Sequence, residues 1–226
     1  MANKIHPTAI IEGDVALGED NEIGPYTVIY GPTRIGNNNL IGPHVTIGTP
    51  GQDTRTPRYD ASACRIEIGN DNIIREYTAI QKPCYREATR IGNSVYLMQG
   101  VHVPHDAIIE DHVVITPLVV MGGIVHVLEG ANLAIGTTVH QYSVIGQYAI
   151  VGMGAPLTKN LRPFSRYVPG KPLSVNHNAI RKYGLEALTE EIEAYVLQHR
   201  APDSPRLQQI VDHYQQLHLA SGRPEY

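Results

Sequence analysis

The sequence predicts an all-β solenoid, in which the chain coils repeatedly around one narrow hydrophobic core. From Ile91 to Leu157 a bulky aliphatic residue occupies every sixth position. A helix buries a residue about every 3.6 positions and a single strand about every 2, so a period of six requires a short strand, a corner and another short strand. Such coils bury their aliphatic side chains only when further coils stack on them. The positions are Ile91, Leu97, Val103, Ile109, Ile115, Met121, Val127, Leu133, Val139, Ile145, Val151 and Leu157.

The same period is present in the N-terminal half, where two insertions interrupt it. It runs from Ile5 to Ile47 and breaks twice before the uninterrupted run begins. We therefore predict a parallel β-helix over residues 1–158, with insertions near residues 48–65 and 84–90. Excursions of this kind in a repeat protein often decorate its binding face.

Composition favours one elongated domain. The chain has 226 residues, 42% of them hydrophobic, with 21 Gly, one Phe and no Trp. A thin lumen excludes large rings, and its corners favour residues that adopt positive φ. Cys64 and Cys84 provide no disulfide framework and are expected to be reduced thiols. The N-terminal residues lack the apolar core of a signal peptide, and no window approaches a membrane span, so we expect a cytoplasmic protein.

Residues 159–226 are predicted to form a basic connector followed by C-terminal helices. The connector is either a solvated loop or a surface that attracts a phosphate-bearing ligand or an acidic carrier protein. Nucleic acid is not expected as a partner, because the rest of the chain is acidic and no aromatic platform accompanies the charges. A helix is predicted around residues 185–196, and a second one from Ser204, as N-cap, to about Gly222. The connector has no acidic residue, and its basic residues are Lys159, Arg162, Arg166, Lys171, Arg181 and Lys182.

The histidines are candidate chemical groups, because 11 is a high number for this length. In a coil of three hexads, His105 and His140 lie on the same face nearly two coils apart, roughly 10 Å along the axis. They could hold two parts of one extended ligand. A neutral imidazole is also suited to take a proton from a hydroxyl near neutral pH.

A metal site is the alternative use of these histidines. His102 and His105 have the His-x-x-His spacing, but no third histidine lies close to them in that coil. Catalytic zinc requires three convergent protein ligands and an open position. We therefore expect neither a metal nor another cofactor.

Several segments carry a resemblance to a known family. They are YLMQGVHVPHDAII at residues 96–109, MGG at 121–123 and VHQYSVIG at 139–146, and the coils IHPTAIIEGDVALGEDNEIGPY and IEIGNDNIIREYTAI are similar as well. The sequence resembles the left-handed β-helix acyltransferases, and most closely the acyl-carrier-protein-dependent UDP-N-acetylglucosamine O-acyltransferases of lipid A biosynthesis. The resemblance implies a left-handed coil, an exception to the usual right-handed crossover, and a homotrimer with active sites between neighbouring subunits. It also implies an acyl thioester on phosphopantetheine as co-substrate.

Carried over residue by residue, the resemblance implies three catalytic positions. His105 would be the general base that removes the proton of a sugar hydroxyl as it attacks the thioester. Asp106 would orient that imidazole, which requires a corner, since consecutive residues of a regular strand point to opposite faces. The backbone N–H of Gly123 would donate to the oxyanion.

The resemblance also implies substrate-binding positions. Gln52 and Asp53, in the first insertion, match a pair that binds the acceptor sugar. Met153 matches a position that gauges acyl-chain length and is Gly in members that accept long hydroxyacyl groups. We therefore expect a preference for acyl groups of about ten carbons or fewer, unless Met153 only fills a gap between coils. The remaining matches are His102, His140 and Gln141, which line the acceptor and donor sites, and Asn176 and Lys182, at positions that contact the nucleotide and carrier.

The sequence also departs from the family. Ile124 replaces a histidine, Asn178 replaces a glutamate, Tyr183 replaces an arginine, and the tail is shorter. Three functions stay open. They are acyl transfer from acyl carrier protein to a hydroxyl of a nucleotide sugar such as UDP-N-acetylglucosamine, acyl-CoA-dependent O- or N-acyl transfer to another sugar or small molecule, and a metal-binding or non-catalytic solenoid. The last would be favoured if His105 were buried and bonded only to structural groups.

Overall fold

The computed structural model describes residues 2–226, which form a parallel β-helix followed by a short helical part. The strands of the first half are β1 Lys4–Ile5, β2 Ile10–Glu12, β3 Val15–Leu17, β4 Glu22–Ile23, β5 Val28–Tyr30, β6 Thr33–Ile35, β7 Leu40–Ile41, β8 Thr46–Thr49, β9 Arg65–Ile68, β10 Ile73–Ile74, β11 Ala79–Gln81 and β12 Ala88–Ile91. Those of the second half are β13 Tyr96–Leu97, β14 His102–Val103, β15 Ile108–Ile109, β16 Val114–Ile115, β17 Val120–Met121, β18 His126–Val127, β19 Asn132–Leu133, β20 Thr138–Val139, β21 Val144–Ile145, β22 Ile150–Val151, β23 Pro156–Leu157, β24 Ser165–Tyr167 and β25 Ser174–Val175.

The strands form three sheets, and from β1 to β23 successive strands of the chain pass from one sheet to the next. Sheet 1 contains β1, β4, β7, β10, β13, β16, β19, β22, β24 and β25; sheet 2 contains β2, β5, β8, β11, β14, β17, β20 and β23; sheet 3 contains β3, β6, β9, β12, β15, β18 and β21. Apart from the antiparallel pair β24 and β25, the strand pairs of the described chain are parallel. Coils stack in register, with Ile115 opposite Leu133 and Val127 opposite Ile145, so equivalent residues of uninterrupted coils are 18 positions apart.

The period-six aliphatic residues fill the lumen. Ile29, Ile47, Leu97 and Val127 are completely buried. In the first coil, which has a neighbour on one side only, Ile5 is 44% exposed. Burial of each residue therefore depends on the coils above and below it, as expected for a solenoid.

A ladder of buried asparagines joins successive coils at the corner between sheets 3 and 1. Asn39 Nδ2 donates to Asn21 Oδ1 at 2.9 Å, and Asn39 Oδ1 accepts from the Asn72 N–H at 3.0 Å. Asn72 Oδ1 accepts in turn from the Val95 N–H at 2.7 Å. The three asparagines are buried, and a buried amide is tolerated only when its polar atoms are paired.

Both insertions leave the solenoid at the corner between sheets 2 and 3. The first joins β8 to β9 and the second joins β11 to β12. Lys82, at the start of the second, is buried, and its Nζ donates to the carbonyls of Gly31 at 2.5 Å and Ala61 at 3.4 Å. Burial lowers the pKa of this ammonium. The lysine thus links the first insertion to the body of the solenoid.

The parallel sheet continues beyond residue 158, because β24 pairs with β22. The predicted domain boundary is therefore too early by one strand, since a parallel partner for β22 lies within the basic connector. The helices are α1 His177–Lys182, a 3₁₀ helix Glu186–Leu188, α2 Thr189–Gln198 and α3 Pro205–Ser221. Ser204 and Gly222 flank α3, at the ends that the sequence predicts.

The tail closes one end of the solenoid and returns along sheet 3. Arg162 Nη2 pairs with Glu225 Oε2 at 2.5 Å beside the last coil. Tyr214 of α3 is completely buried and packs with Leu128 and Val144. Within residues 2–226, none of the helices combines the length and the apolarity that crossing a membrane requires.

The asparagine ladder generates a stability prediction. Replacing Asn39 by Ala leaves the Asn72 N–H without its acceptor and removes the side-chain donor to Asn21 Oδ1 and the Gly69 carbonyl, so the free energy of unfolding should fall by about 1–3 kcal/mol. Urea denaturation followed by circular dichroism measures it. Glu22→Ala, a change at the exposed residue next to Asn21, is the matched control and should stay within about 0.5 kcal/mol of the unchanged protein. Equal effects of the two substitutions would contradict a stabilising ladder.

Candidate active site

Three successive coils bring His105, Gly123 and Gln141 to equivalent places at the corner between sheets 2 and 3. The corners are joined by backbone hydrogen bonds, from the Ile124 N–H to the His105 carbonyl and from the Tyr142 N–H to the Gly123 carbonyl, each at 3.0 Å. Residues 18 positions apart therefore lie in line. The repeat itself places a histidine, a glycine and a glutamine side by side along one edge.

His105 and Asp106 form a hydrogen-bonded pair at this corner. His105 Nδ1 lies 2.7 Å from Asp106 Oδ2, and the His105 side chain is 9% exposed. Asp106 has a φ of +61°, a left-handed conformation that turns the chain, so two consecutive side chains can meet. The imidazole is thereby held through Nδ1, and within the described chain Nε2 has no hydrogen-bond partner.

The second insertion holds the Asp106 carboxylate. Oδ1 accepts from the N–H groups of Tyr85 at 3.0 Å and Arg86 at 2.6 Å, and Oδ2 accepts from the Cys84 N–H at 3.0 Å. With His105 Nδ1 these three donors occupy about four lone-pair positions, the number that a carboxylate offers. Asp106 is completely buried. Its orientation is therefore fixed by three consecutive backbone amides.

Gly123 combines a close contact with a free donor. A Cβ at this position would lie 2.3 Å from His105 Nε2, so only glycine lets the imidazole approach the backbone. The Gly123 N–H donates to no acceptor in residues 2–226. A base nitrogen and an unused amide donor thus lie on neighbouring coils, the arrangement required to remove a proton and to stabilise an oxyanion in the same step.

These groups line a cavity of 490 Å³, together with Gln52, Asp53, His102 and Gln141. His102 Nδ1 donates to the Met121 carbonyl at 3.1 Å, and its Nε2 is buried without a partner. Burial lowers the pKa of His102, so the ring is neutral near pH 7 and Nε2 is a hydrogen-bond acceptor. A larger groove of 810 Å³ follows sheet 3 but contains none of the predicted site residues.

The Asp53 carboxylate already accepts hydrogen bonds from other residues of the chain. Oδ2 accepts from Arg55 Nη2 at 2.8 Å and from the Tyr85 hydroxyl at 2.6 Å, and Oδ1 accepts from the Arg55 N–H at 2.7 Å. The Arg55 guanidinium, followed by the Tyr85 hydroxyl, holds the pKa of Asp53 well below its usual range. The Arg55 side chain is 61% exposed. Asp53 therefore holds the guanidinium of Arg55, a residue that lines the cavity.

Sequence reasoning missed Arg55, Tyr85 and Tyr142. Arg55 and Tyr142 line the cavity, Tyr85 bonds Asp53, and the Arg55 guanidinium lies 4.8 Å from the centre of the Tyr85 ring. The one available signal was a basic residue two positions after Asp53, a spacing that permits a local ion pair. Tyr85 lies in the other insertion, so no pattern in the sequence links it to Asp53.

Four predicted binding residues lie outside this cavity. His140 is exposed, and its Nδ1 donates to the Gln141 carbonyl at 3.2 Å. Asn176 caps α1 and donates through Nδ2 to the Tyr148 carbonyl at 2.8 Å. Lys182 is exposed. Met153 is 74% exposed, so it does not fill a gap between coils. Their binding roles stay predictions, because the single chain does not bring them to the base.

One of the six connector charges is not available to a partner. Arg162 is 5% exposed and pairs with Glu225, so its prediction as part of an anion-receiving surface is wrong. The reason is that the C-terminal residues fold back onto the last coil and bring a carboxylate to it. The other five connector residues, Lys159, Arg166, Lys171, Arg181 and Lys182, are exposed.

Cys84, His105 and Asp106 are the groups that most resemble a metal site, since their ligand atoms lie within 4.8 Å of one another. However, the Asp106 oxygens and His105 Nδ1 are engaged in the hydrogen bonds described above. Burial also raises the pKa of the Cys84 thiol, which disfavours the thiolate that a metal requires. This cluster does not fit a resident metal ion.

The repeats and the fold are similar to those of known proteins. Residues 14–49 and 88–123 match the family described as bacterial transferase hexapeptide (six repeats). The UDP-N-acetylglucosamine acyltransferase of Bacteroides fragilis has a similar structure, with a TM-score of 0.76 at 25% identity over 99% of this chain and 98% of that one. The parallel sheets, the hexapeptide coils and this similarity fit a left-handed β-helix with a short helical part.

The sequence is similar to particular acyltransferases. It is 37% identical over 130 residues to the acyl-[acyl-carrier-protein]–UDP-N-acetylglucosamine O-acyltransferase of Gloeothece citriformis, covering 57% of this chain and 46% of that one. It is 34% identical over 141 residues to the enzyme of the same name in Stutzerimonas stutzeri, covering 61% and 55%. The chain thus spans about half the length of the curated relatives it matches. The resemblance predicted from the motifs is confirmed.

The geometry predicts how substitutions at two histidines differ. If the chain catalyses the acyl transfer that the resemblance implies, His105→Ala should lower the turnover by at least about 10²-fold. The melting temperature should stay within a few degrees, because the residue lies at the cavity and not in the lumen. His126→Ala, on the outward side of sheet 3, should cost much less activity. Steady-state thioester cleavage and thermal unfolding measure both. Equal losses of activity, or unfolding of the His105 variant, would show that His105 is not the base.

Proposed function

We propose that this protein transfers an acyl group from the thioester of an acyl carrier protein to a hydroxyl of a nucleotide sugar such as UDP-N-acetylglucosamine. The observation that carries the proposal is the His105–Asp106 pair one coil away from the unused N–H of Gly123, at the edge of one cavity. The names of the relatives and of the similar structure support the same reaction. No cofactor is required beyond the phosphopantetheine that carries the acyl group.

In this mechanism His105 Nε2 accepts the proton of the attacking hydroxyl as its oxygen bonds to the thioester carbonyl carbon. The carbonyl oxygen becomes an oxyanion and accepts from the Gly123 N–H. Asp106, fixed by the amides of the second insertion, holds Nδ1–H and stabilises the imidazolium. Collapse of the tetrahedral intermediate breaks the carbon–sulfur bond, and the imidazolium proton passes to the departing thiolate.

His102 is the group in the cavity best suited to orient the acceptor. Its buried Nε2 lacks a donor, and a sugar hydroxyl or amide N–H would supply one. Arg55 suits a negatively charged part of the acceptor, such as a phosphate. Because Asp53 is engaged by Arg55 and Tyr85, its proposed contact with the sugar would be indirect. The engagement of Asp53 by Arg55 and Tyr85 favours a second candidate function, acyl-CoA-dependent transfer to another sugar or small molecule.

The exposed connector residues suit an acidic carrier protein as the donor. Lys159, Arg166, Lys171, Arg181 and Lys182 lie beyond the last coils and have no acidic neighbour within the connector sequence. Charges of one sign accelerate encounter with an oppositely charged protein. The cytoplasmic location stays a prediction.

We further propose a closed homotrimer. Large apolar side chains project outward from sheets 1 and 2, among them Leu40 at 42%, Ile73 at 40% and Val120 at 49% exposure, and exposed apolar faces favour association. A neighbouring subunit would also exclude water from the cavity. Sedimentation equilibrium at micromolar concentration should give three times the mass of the chain. A monomeric mass with retained activity would exclude the trimer.

The reaction is tested by a thioester-cleavage screen. Carrier-bound and CoA-bound acyl chains are each offered with a panel of nucleotide sugars, and thiol release and product mass are recorded. We expect release that depends on acyl carrier protein and on UDP-N-acetylglucosamine, with His105→Ala as the inactive control. Release from CoA alone would favour the second candidate, and cleavage that no acceptor stimulates would contradict acyl transfer.

Met153 provides a test of chain length. Its side chain is 74% exposed and would extend into the groove between subunits, where each excluded methylene would otherwise contribute about 0.8 kcal/mol of binding. We expect a preference for acyl groups of about ten carbons or fewer, and Met153→Gly should shift it toward longer chains. Competition between short and long acyl donors measures the shift. An unchanged preference in the variant would show that Met153 does not limit the length of the acyl chain.

A further inference from the structure

A second, smaller pocket lies on the sheet 3 side of the active-site corner. It has a volume of 230 Å³, and α3 closes it from the outside. Tyr142 lines both this pocket and the candidate active site. We call it the arginine pocket, and its walls include Arg86, Ile124, His126, Tyr142, Val144 and Leu217. Nothing in the proposed reaction uses the side chains of Arg86 or His126.

Arg86 differs from the other arginines along this sheet. Arg34 pairs with Asp14 at 2.6 Å, and Arg65 and Arg90 both pair with Glu67, at 2.5 and 2.6 Å. Arg86 forms no ion pair with a carboxylate anywhere in residues 2–226, and burial lowers the pKa of its guanidinium. A partly buried cation that no carboxylate pairs with directly is unfavourable. Its charge is therefore available to a ligand.

His126 does not neutralise this charge. Burial, followed by the charge of Arg86, lowers the pKa of His126 to about 4, so the ring is neutral near pH 7 and Nε2 accepts from Arg86 Nη1 at 2.7 Å. Asp106, the carboxylate whose charge acts on Arg86, is engaged by its four hydrogen-bond donors. Glu110 is engaged by His213 at 2.7 Å and by the Glu129 N–H at 3.0 Å. The pocket keeps one positive charge, with further N–H donors of Arg86 unused.

The remaining walls are mostly apolar. Ile124, Val144, Leu217 and Ala220 contribute aliphatic surface, and the hydroxyl of Ser221 is engaged by the His218 carbonyl at 2.7 Å. A volume of 230 Å³ holds roughly eight water-sized atoms. A ligand that fits this combination has a short alkyl body and an anionic head, which would pair with the planar guanidinium of Arg86.

We propose that the arginine pocket binds a short-chain carboxylate, with the carboxylate on Arg86 and the alkyl chain between Ile124, Val144 and Leu217. A carboxylate matches the guanidinium fork through two parallel hydrogen bonds. The amide N–H of Arg86 donates to Asp106 Oδ1, so the ligand is held by the same residue that helps to orient the proposed catalytic carboxylate.

The test is titration calorimetry of the full-length protein with hexanoate. The expected dissociation constant is on the order of 1 mM. Hexan-1-ol, which lacks the charge, and inorganic phosphate, which lacks the alkyl chain, should each bind at least about tenfold more weakly. If either binds as tightly as hexanoate, or if hexanoate does not bind, the proposal is overturned.

Variants locate the site independently of activity. Arg86→Gln should weaken hexanoate binding at least about tenfold. Ala220 lines the pocket and is exposed to solvent, so the side chain introduced by Ala220→Phe should fill the pocket and abolish binding. Arg34→Gln removes a charge that is paired with Asp14 on the same sheet and is the matched control, with unchanged affinity expected. Circular dichroism checks that each variant is folded, and Ala220→Phe decides the question if Arg86→Gln does not fold. Undiminished binding in a folded Arg86→Gln or Ala220→Phe protein would place hexanoate elsewhere and overturn the proposal.

Discussion

The stacking of coils in register is the constraint on which the rest of the structure depends. Aliphatic residues of one coil pack on those of the next, as Ile115 does on Leu133, so every corner residue lies beside its equivalent in the neighbouring coil. His105 and Gly123 meet for this reason, although they are 18 positions apart. The rigid repeat thus supplies a base and an oxyanion donor at a fixed spacing, which catalysis requires.

The two insertions supply what a regular repeat cannot. A repeating coil offers each corner the same neighbours, whereas the Asp106 carboxylate is held by three consecutive N–H groups of the second insertion, from Cys84 to Arg86. Asp53 of the first insertion is held by Tyr85 of the second. Long excursions from a stable scaffold cost little additional loop entropy. Irregular chain can therefore surround the proposed catalytic pair without weakening the solenoid.

Arg86 connects two cavities that are separate in space. Its N–H serves Asp106, and its guanidinium reaches across the outward side of sheet 3 to His126. Without the return of α3 over this sheet the second cavity would be an open surface, because Leu217 and Ala220 form its outer wall. The C-terminal helix α3 therefore encloses this second cavity, in addition to the closure of one end of the solenoid by the tail.

The sequence by itself determined the solenoid, because a period of six is satisfied only by short strands joined by corners, and that periodicity also placed His105 and Gly123 at equivalent positions. The adjacency of His105 and Asp106 was likewise visible, although the left-handed φ that lets them meet was not. Only the tertiary structure decided that Asp53 is occupied by Arg55 and Tyr85, that Arg162 is buried against Glu225, and that the predicted boundary at residue 158 precedes the last parallel strand. Periodicity fixes which residues of the coils are neighbours, whereas contacts made by insertions and by the tail follow no period and depend on where the folded chain returns.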